Sequence, residues 1–169
     1  AQVPGVKGVV GMIMDIPAGE IWPKERIKAL KEEIEAAGLS LKVIESVNIH
    51  DDIKIGLPTR DKYIENYKET IRNLAEFGIE VICYNFMPVF DWTRTDLHHE
   101  LPDGSNALFY EKKVIKEDPM EMARYIIEGS KGYTMPGWEP ERLEHLKELF
   151  EAYKPVTKEK LWENLKYFL

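Results

Sequence analysis

Two kinds of apolar pattern alternate along the first half of the chain. Short apolar runs rich in β-branched residues predict strands near residues 6–14, 41–46 and 79–86. Gly38 and Gly78 stand where a glycine commonly ends a helix. The segments between the runs carry apolar residues at helical spacing: Ile27, Leu30, Ile34 and Ala37 in the first, and Ile64, Tyr67, Ile71 and Leu74 in the second. The pattern therefore predicts the order strand, helix, strand, helix, strand.

The second and third predicted strands are almost continuously apolar, as in GLSLKVIES and GIEVICYNF. Strands of this kind are typical of a parallel sheet that is buried on both faces. The fold class is therefore α/β, and the three βα units fit the start of a (βα)8 TIM barrel. A doubly wound sheet would begin in the same way. However, the residues after the first strand, DIPAGEIW, lack the glycine-rich phosphate loop of dinucleotide-binding proteins.

The regular alternation stops after the third strand. Residues 87–155 show no clear strand and are predicted to be an insertion with small helices, a turn at ELPDGSN and a helix start at DPME. Two amphipathic segments follow, EPERLEHLKELFEAYK and TKEKLWENLKYFL, and the second predicts a last helix at residues 157–169. We interpret residues 1–169 as one partial barrel domain. We expect it to be truncated at both ends, because it begins without methionine and ends inside an amphipathic pattern.

Composition and charge exclude several classes of protein. The chain carries 23 Lys and Arg against 30 Asp and Glu, a net charge of -7, which disfavours binding to nucleic acid phosphates. No apolar run reaches the length of a membrane helix. Cys83 is the single cysteine, so an internal disulfide is impossible and we expect it to pack in the core. A cytoplasmic protein without membrane contact is the prediction.

Polar and aromatic residues follow each predicted strand. In parallel α/β folds ligands bind beyond the carboxyl ends of the strands, so these residues are the candidates for a site. They are Asp15, Glu20 and Trp22 after the first strand; Glu45, Ser46, Asn48, His50 and Asp51 after the second; and Tyr84, Asn85, Asp91, Trp92, Arg94 and Asp96 after the third. Barrel geometry would bring the three groups to one mouth.

Arg94 is the sharpest single candidate among them. A guanidinium can hold a carboxylate through two parallel hydrogen bonds, and Trp92 could shield such a pair from water. The alternative is a loop ion pair with Asp91 or Asp96, which is the commoner fate of a loop arginine.

Histidines and a strand-end carboxylate give weaker candidates. His50 could carry a proton or donate a hydrogen bond to a hydroxyl, or it could be a plain surface residue. Glu45 ends the second strand, where an inward-facing carboxylate needs a partner, which could be a ligand or the backbone. His98 and His99 are adjacent and point in different directions, so together with Cys83 they do not predict a metal site.

Several long motifs resemble bacterial mannonate dehydratases: YNFMPVFDWTRTDL, VIESVNIHDDIKIGLPTRDKYIENYKETIRNLA, DIPAGEIWP and the PDGS turn. The resemblance covers nearly the whole chain and weakens at residues 110–138. It implies a xylose-isomerase-like TIM barrel and a lyase that dehydrates D-mannonate to 2-keto-3-deoxy-D-gluconate in glucuronate catabolism. It also implies a divalent metal, Mn²⁺ or Fe²⁺, whose ligands belong to the second half of the family's sequence. This chain lacks that half, so we expect no metal site in it.

The resemblance also suggests roles for individual residues. Arg94 would bind the carboxylate or hydroxyls of the sugar acid, and Trp92 would wall the pocket. His50, Asn85 and Glu45 would reach hydroxyls from neighbouring strand ends. The catalytic acid and base are expected in the absent half, and the parent protein is expected to be a homo-oligomer. Two alternatives stay open: another xylose-isomerase-like sugar isomerase or epimerase, and an inactive fragment without chemistry of its own.

Overall fold

The computed structural model divides into two compact units, which are described separately below. The first comprises residues 1–86 and 158–169, and the second comprises residues 87–157. The structure describes four stretches of the chain, namely residues 4–89, 94–116, 118–129 and 145–169.

Strands and helices alternate through the first unit, and the second unit contains a hairpin and two helices. In chain order the elements are β1 (Gly8–Gly11), α1 (Lys24–Ala36), β2 (Ser40–Ile44), α2 (Asp51–Ile55), α3 (Arg60–Glu76), β3 (Val81–Ile82), β4 (Asp96–Glu100), β5 (Asn106–Phe109), a 3₁₀ turn (Lys112–Val114), α4 (Pro119–Gly129), α5 (Leu146–Tyr153) and α6 (Lys158–Phe168).

The first unit is built on a parallel sheet with the order β1-β2-β3. In register, Val9 lies opposite Leu41, and Ile44 lies opposite Ile82. The strands are shorter than the apolar runs, and β3 keeps only two paired residues. The α/β class with a parallel sheet, which the apolar pattern predicted, is confirmed.

Both predicted glycine helix ends are present and have the same geometry. Gly38 and Gly78 adopt φ values of +75° and +71°, a left-handed conformation that glycine tolerates without a steric penalty. The amides of Gly38 and Leu39 donate to carbonyls of the last turn of α1, and those of Gly78 and Ile79 do the same for α3. Each glycine therefore turns the chain from a helix directly into the next strand.

One face of the sheet packs against α1 and α3 and forms the main core of this unit. Gly11 makes close packing possible, because a Cβ there would meet the Leu41 side chain at 2.6 Å. The buried members of this core are Ile13, Trp22, Ile27, Leu41, Ile44, Val47, Leu74 and Ile79. Ile49, Ile53 of α2 and Ile64 of α3 form a second buried cluster.

The other face of the sheet is exposed, which corrects the expectation of strands buried on both faces. Val10 and Val81 are 55% and 49% exposed. Cys83 is also exposed, so its predicted place in the core is wrong. The physical reason is that the helices of this unit cover only the face that carries Leu41, while Val81 and Cys83, two residues apart, share the opposite face.

The second unit contains strands that the apolar pattern did not predict. Strands β4 and β5 form an antiparallel hairpin, which contradicts the expectation of no strand in this stretch. The sequence of β4, DLHHE, is largely polar, and Leu97 is its one buried residue. The strand therefore lacks the apolar pattern by which strands are predicted. The turn predicted at ELPDGSN is confirmed: Asp103 accepts hydrogen bonds from the amide and hydroxyl of Ser105, and Gly104 has φ +80°. Helix α4 begins at Pro119, as the DPME motif predicts.

Within the described residues, every helix is too short or too polar to cross a membrane.

Candidate functional site

A small polar network joins the carboxyl ends of β2 and β3. The Asn85 amide donates to the Ser46 hydroxyl at 3.3 Å, and that hydroxyl donates to the Asn48 side-chain oxygen at 3.4 Å. Ser46 is almost fully buried, and Asn48 and Asn85 are partly accessible. Hydroxyl and amide side chains can both donate and accept hydrogen bonds, so groups of this kind can bind the hydroxyls of a polyol ligand. Of the predicted site residues, the structure thus brings Asn85 together with the segment that follows β2.

His50 lies two residues beyond Asn48, at the start of α2. Its ring nitrogen Nδ1 accepts a hydrogen bond from the Asp52 amide at 3.1 Å, so the side chain caps the short helix. Its ring stacks on the Tyr63 ring with centroids 3.7 Å apart and planes 11° apart. The carboxylate of Asp52 is 3.6 Å from Nδ1. His50 is therefore a partly buried residue with fixed contacts, and it is not a plain surface histidine.

The protonation of His50 gives a testable dependence of stability on pH. Burial lowers its pKa below the usual value, although the carboxylates of Asp52 and Asp51 act in the opposite direction. The folded chain therefore binds fewer protons here than the unfolded chain, and the free energy of unfolding rises with pH. The contribution is complete above the unfolded pKa of about 6.5 and is lost as pH falls through the folded pKa.

We expect a His50→Asn variant to lose less stability than the unmodified protein between pH 7 and pH 5. Asparagine can still cap the helix but does not titrate. Urea unfolding midpoints measured across this range for both proteins give the comparison. Parallel curves would contradict the lowered His50 pKa.

The side chains of Asp15 and Trp22, in the loop after β1, are engaged in contacts within the fold. Asp15 and Arg26 form an exposed, two-pronged ion pair, with Arg26 Nε to Asp15 Oδ2 at 3.0 Å and Nη2 to Oδ1 at 3.0 Å. Trp22 is only 2% exposed and belongs to the core, so its expected place among the residues of a site is corrected. Its backbone explains this position: Trp22 N–H donates to Thr70 Oγ1 at 3.1 Å, and its carbonyl accepts from Asn73 Nδ2 at 2.9 Å.

The remaining predicted residues lie in different parts of the chain. Glu45 directly follows β2 and is exposed, so it is not the buried carboxylate that would require an internal partner. Arg94 is half-buried and belongs to the second unit, where it directly precedes the hairpin. Trp92 lies outside the described residues, as does Asp91. The Asp96 carboxylate accepts a hydrogen bond from the His98 amide at 2.8 Å.

The described residues do not provide a metal centre. No group of three His, Cys, Asp or Glu side chains comes together within the stretches that the structure describes. His99 instead stacks on Phe109 at 4.1 Å and lies near Asp96, and Cys83 is in the other unit. The donor set that a divalent cation requires is thus not assembled by these residues.

An apolar groove in the first unit lies beside β3, with a cavity volume of about 290 Å³. Burial raises the pKa of Tyr67 in this groove to about 12, so its hydroxyl stays protonated under all ordinary conditions. The groove is lined by Ile64, Tyr67, Lys68, Ile71, Ile82, Tyr84, Phe168 and Leu169.

Tyr63 and Gly19 contact His50, and Asn66 binds Gly19, but none of the three stands out in the sequence pattern. The helical period offers one partial signal for Tyr63, since it lies four residues before Tyr67 and so shares that side of α3. Nothing in the sequence signals Gly19, whose carbonyl accepts a hydrogen bond from Asn66 Nδ2 at 2.8 Å. Its contacts come from residues more than 30 positions away along the chain.

Comparison with known proteins identifies one family. The family model described as D-mannonate dehydratase (UxuA) matches residues 1–169. A mannonate dehydratase from Lactococcus lactis subsp. cremoris is 73% identical over 169 residues, which is 100% of this chain and 47% of the relative. One from Thermotoga petrophila is 63% identical over 99% of this chain and 47% of its own length.

A solved structure gives the same result at the level of the fold. The crystal structure of mannonate dehydratase from Streptococcus suis serotype 2 matches with a TM-score of 0.78 and 45% identity. The match covers 99% of this chain and 42% of that structure. The chain thus spans about half the length of the curated relatives it matches.

Proposed function

The chain belongs to the D-mannonate dehydratase family, and on that premise we propose that the full-length protein converts D-mannonate into 2-keto-3-deoxy-D-gluconate. The observation that carries the proposal is the family match along all of residues 1–169, with relatives at 73% and 63% identity. In this proposal the protein is a cytoplasmic hydro-lyase of glucuronate catabolism. It binds a small sugar acid and assembles as a homo-oligomer.

The proposed reaction is the elimination of one water molecule. A base removes the proton from C2, beside the carboxylate, and the C3–O bond breaks as an acid protonates the departing hydroxyl. The resulting enol at C2 becomes the ketone by moving its hydroxyl proton to C3. Negative charge develops on the carboxylate oxygens in this step, and a fixed cation beside them would stabilise the transition state.

We assign substrate-binding roles to five residues. Arg94 is proposed to hold the carboxylate, because its guanidinium can make two parallel hydrogen bonds to it. Asn85 and His50 are proposed to bind hydroxyls, a role supported by the polar network at the ends of β2 and β3 and by the fixed contacts of His50. Glu45 is proposed as a further hydroxyl ligand, since it is exposed beyond β2. Trp92 is proposed to wall the pocket.

We further propose that residues 1–169 form about the first three βα units of a xylose-isomerase-like TIM barrel, with residues 87–155 as an insertion. Three observations support this fold. The parallel strands follow one another in chain order, as in a barrel. One face of the sheet exposes Val10 and Val81, although parallel sheets are normally covered on both faces. The groove beside β3 is apolar, which fits a position next to a further βα unit.

The metal and the proton-transfer groups are proposed to come from the rest of the full-length protein. Family membership implies a divalent cation, Mn²⁺ or Fe²⁺, and the described residues of this chain do not assemble its ligands. The isolated chain of 169 residues is therefore expected to be inactive.

The test is turnover of D-mannonate by the full-length protein. The protein is first stripped of metal with a chelator and is then assayed alone, with Mn²⁺ and with Fe²⁺. We expect a 2-keto-3-deoxy acid, lighter than the substrate by one water, only after metal is restored. The isolated chain of 169 residues, treated identically, serves as the control. A product of unchanged mass would indicate an isomerase or epimerase and would contradict the proposal.

A further inference from the structure

His50 contacts two segments that lie far apart in the sequence. On one side is the ring of Tyr63 on α3, stacked at 3.7 Å. Gly19 of the loop after β1 lies beside this stack, where an added Cβ would lie 3.0 Å from both Cβ and Cδ2 of His50. That Cβ would also lie 2.6 Å from the Tyr63 ring, so Gly19 touches both partners of the stack. The stack with Tyr63 and the close approach of Gly19 leave the imidazole little freedom to turn.

The hydrogen bond to Nδ1 determines which nitrogen carries the proton. Nδ1 accepts from the Asp52 amide, and an accepting nitrogen has no hydrogen of its own. In the neutral ring the proton is therefore on Nε2, which makes that atom a donor. A ring rotated by half a turn would lose this bond, and the stack with Tyr63 opposes such a rotation.

We propose that Tyr63 is a positioning residue for His50. It holds the imidazole as the Nε2–H tautomer, in the orientation that presents this donor to a hydroxyl or carboxylate oxygen of the sugar acid. The proposal rests on the proposed function for the identity of the ligand, and on the stack, the helix cap and the Gly19 contact for the geometry. Tyr63 itself needs no contact with the substrate, since it acts through His50.

The surroundings of His50 are charged as well as aromatic. Asp51 and Asp52 lie in the first turn of α2, Lys54 lies further along the same helix, and Glu20 approaches from the loop after β1. On the far side of the stack, the Lys62 ammonium is 5.3 Å from the centroid of the Tyr63 ring. Removing the aromatic ring would open His50 to water, and its pKa would then rise toward the ordinary histidine value because the burial that lowers it is lost.

The experiment compares Tyr63→Leu and Tyr63→Phe in the full-length protein. Phenylalanine keeps the stacking ring and leucine removes it. Long-range ¹H–¹⁵N spectra of protein with ¹⁵N-labelled histidine report the tautomer, with a His50→Asn sample to assign the signals. Steady-state assays with D-mannonate give kcat, KM and the pH profile. Tyr63→Met is the second variant if the leucine protein is poorly soluble, and Tyr125→Leu on α4 is the matched control.

We expect Tyr63→Leu to show mixed Nδ1–H and Nε2–H signals for His50. KM should rise roughly tenfold, the effect of one misplaced hydrogen bond, with kcat changed by less than about threefold. The acid limb of the kcat/KM profile should move to higher pH. Tyr63→Phe and Tyr125→Leu should match the unmodified protein in all three measurements.

Two results would overturn the inference. One is an unchanged His50 spectrum in Tyr63→Leu, whatever happens to activity, because Tyr63 would then have only a packing role. The other is a changed tautomer with unchanged KM, because the donor would then have no part in substrate binding. Failure of the unmodified full-length protein to dehydrate D-mannonate would instead refute the proposed function and with it the ligand named here, and the spectra would still decide whether Tyr63 sets the tautomer.

Discussion

An Arg94→Ala variant of the full-length protein is expected to lose roughly 10²- to 10³-fold in kcat/KM for D-mannonate. This corresponds to about 3–4 kcal/mol, which is within the range for removing one partner of a buried, hydrogen-bonded charge pair. The position is well anchored, because the neighbouring Thr95 amide donates to the Phe109 carbonyl at 2.9 Å and the Thr95 hydroxyl accepts from the Glu111 amide at 2.9 Å. A half-buried guanidinium on such a segment can hold a carboxylate at a fixed place.

The control is Arg72→Ala, which removes another arginine from the exposed surface of α3, where it pairs with Glu69 one turn earlier. Its kcat/KM should stay within about twofold of the unmodified value. Arg94→Lys should recover only part of the lost activity, since an ammonium cannot reproduce the two parallel bonds of a guanidinium. If Arg94→Ala turned over D-mannonate as fast as the unmodified enzyme, Arg94 would have no role in substrate binding.

The second large effect is expected for stability. Asn164→Ala should lower the free energy of unfolding by about 2–3 kcal/mol, because it leaves a buried backbone carbonyl without a partner. Asn164 is 1% exposed, and its Nδ2 donates to the Lys54 carbonyl at 2.8 Å. That carbonyl is in the last turn of α2, where helix carbonyls have no partner within the helix. The side chain thus fastens α6 to α2 across 110 residues of sequence.

Gly56 shows how closely this contact is packed. It ends α2 with φ +77°, and an added Cβ would lie 2.7 Å from Asn164 Oδ1. The matched control is Glu163→Ala on the same helix, whose side chain is exposed and pairs with Lys160. The free energy of unfolding of the control, measured by urea denaturation, should stay within about 0.5 kcal/mol of the unmodified protein. Equal midpoints for Asn164→Ala and Glu163→Ala would show that the bond to Lys54 contributes little.

Part of the candidate site could be read from the sequence. The change from an apolar run to polar residues marked the ends of β2 and β3, and it singled out Asn85 and His50, which the structure places in fixed hydrogen bonds. The same reasoning failed for Trp22, which also follows a strand but is buried. The difference is made by Thr70 and Asn73, which bind both polar groups of the Trp22 backbone from α3. A composition pattern cannot reveal that pairing, because the partners are about 50 residues away.

The hairpin in the second unit was missed for a related reason. Strand prediction relies on alternating or continuous apolar residues, and β4 has only Leu97 to bury. Its pairing with β5 comes from backbone hydrogen bonds and from the LPDGS turn, where Asp103 and Gly104 set the geometry. The turn was recognisable in the sequence, but the short strands on each side of it were not.

The sequence by itself determined the local elements of the parallel sheet and the order in which they follow one another. The spacing of apolar residues distinguishes helix from strand. Gly38 and Gly78 end their helices in a left-handed backbone conformation that glycine adopts without a steric penalty. Only the tertiary structure decided which polar and aromatic side chains are buried, paired or exposed. Asn164 is a polar residue that is buried on the apolar face of its helix, His50 is fixed by Tyr63 and Gly19, and Val81 is exposed although its strand is apolar. The physical reason is that periodicity gives each element its faces, whereas burial depends on what lies opposite each face, and that is set by residues far away in the chain.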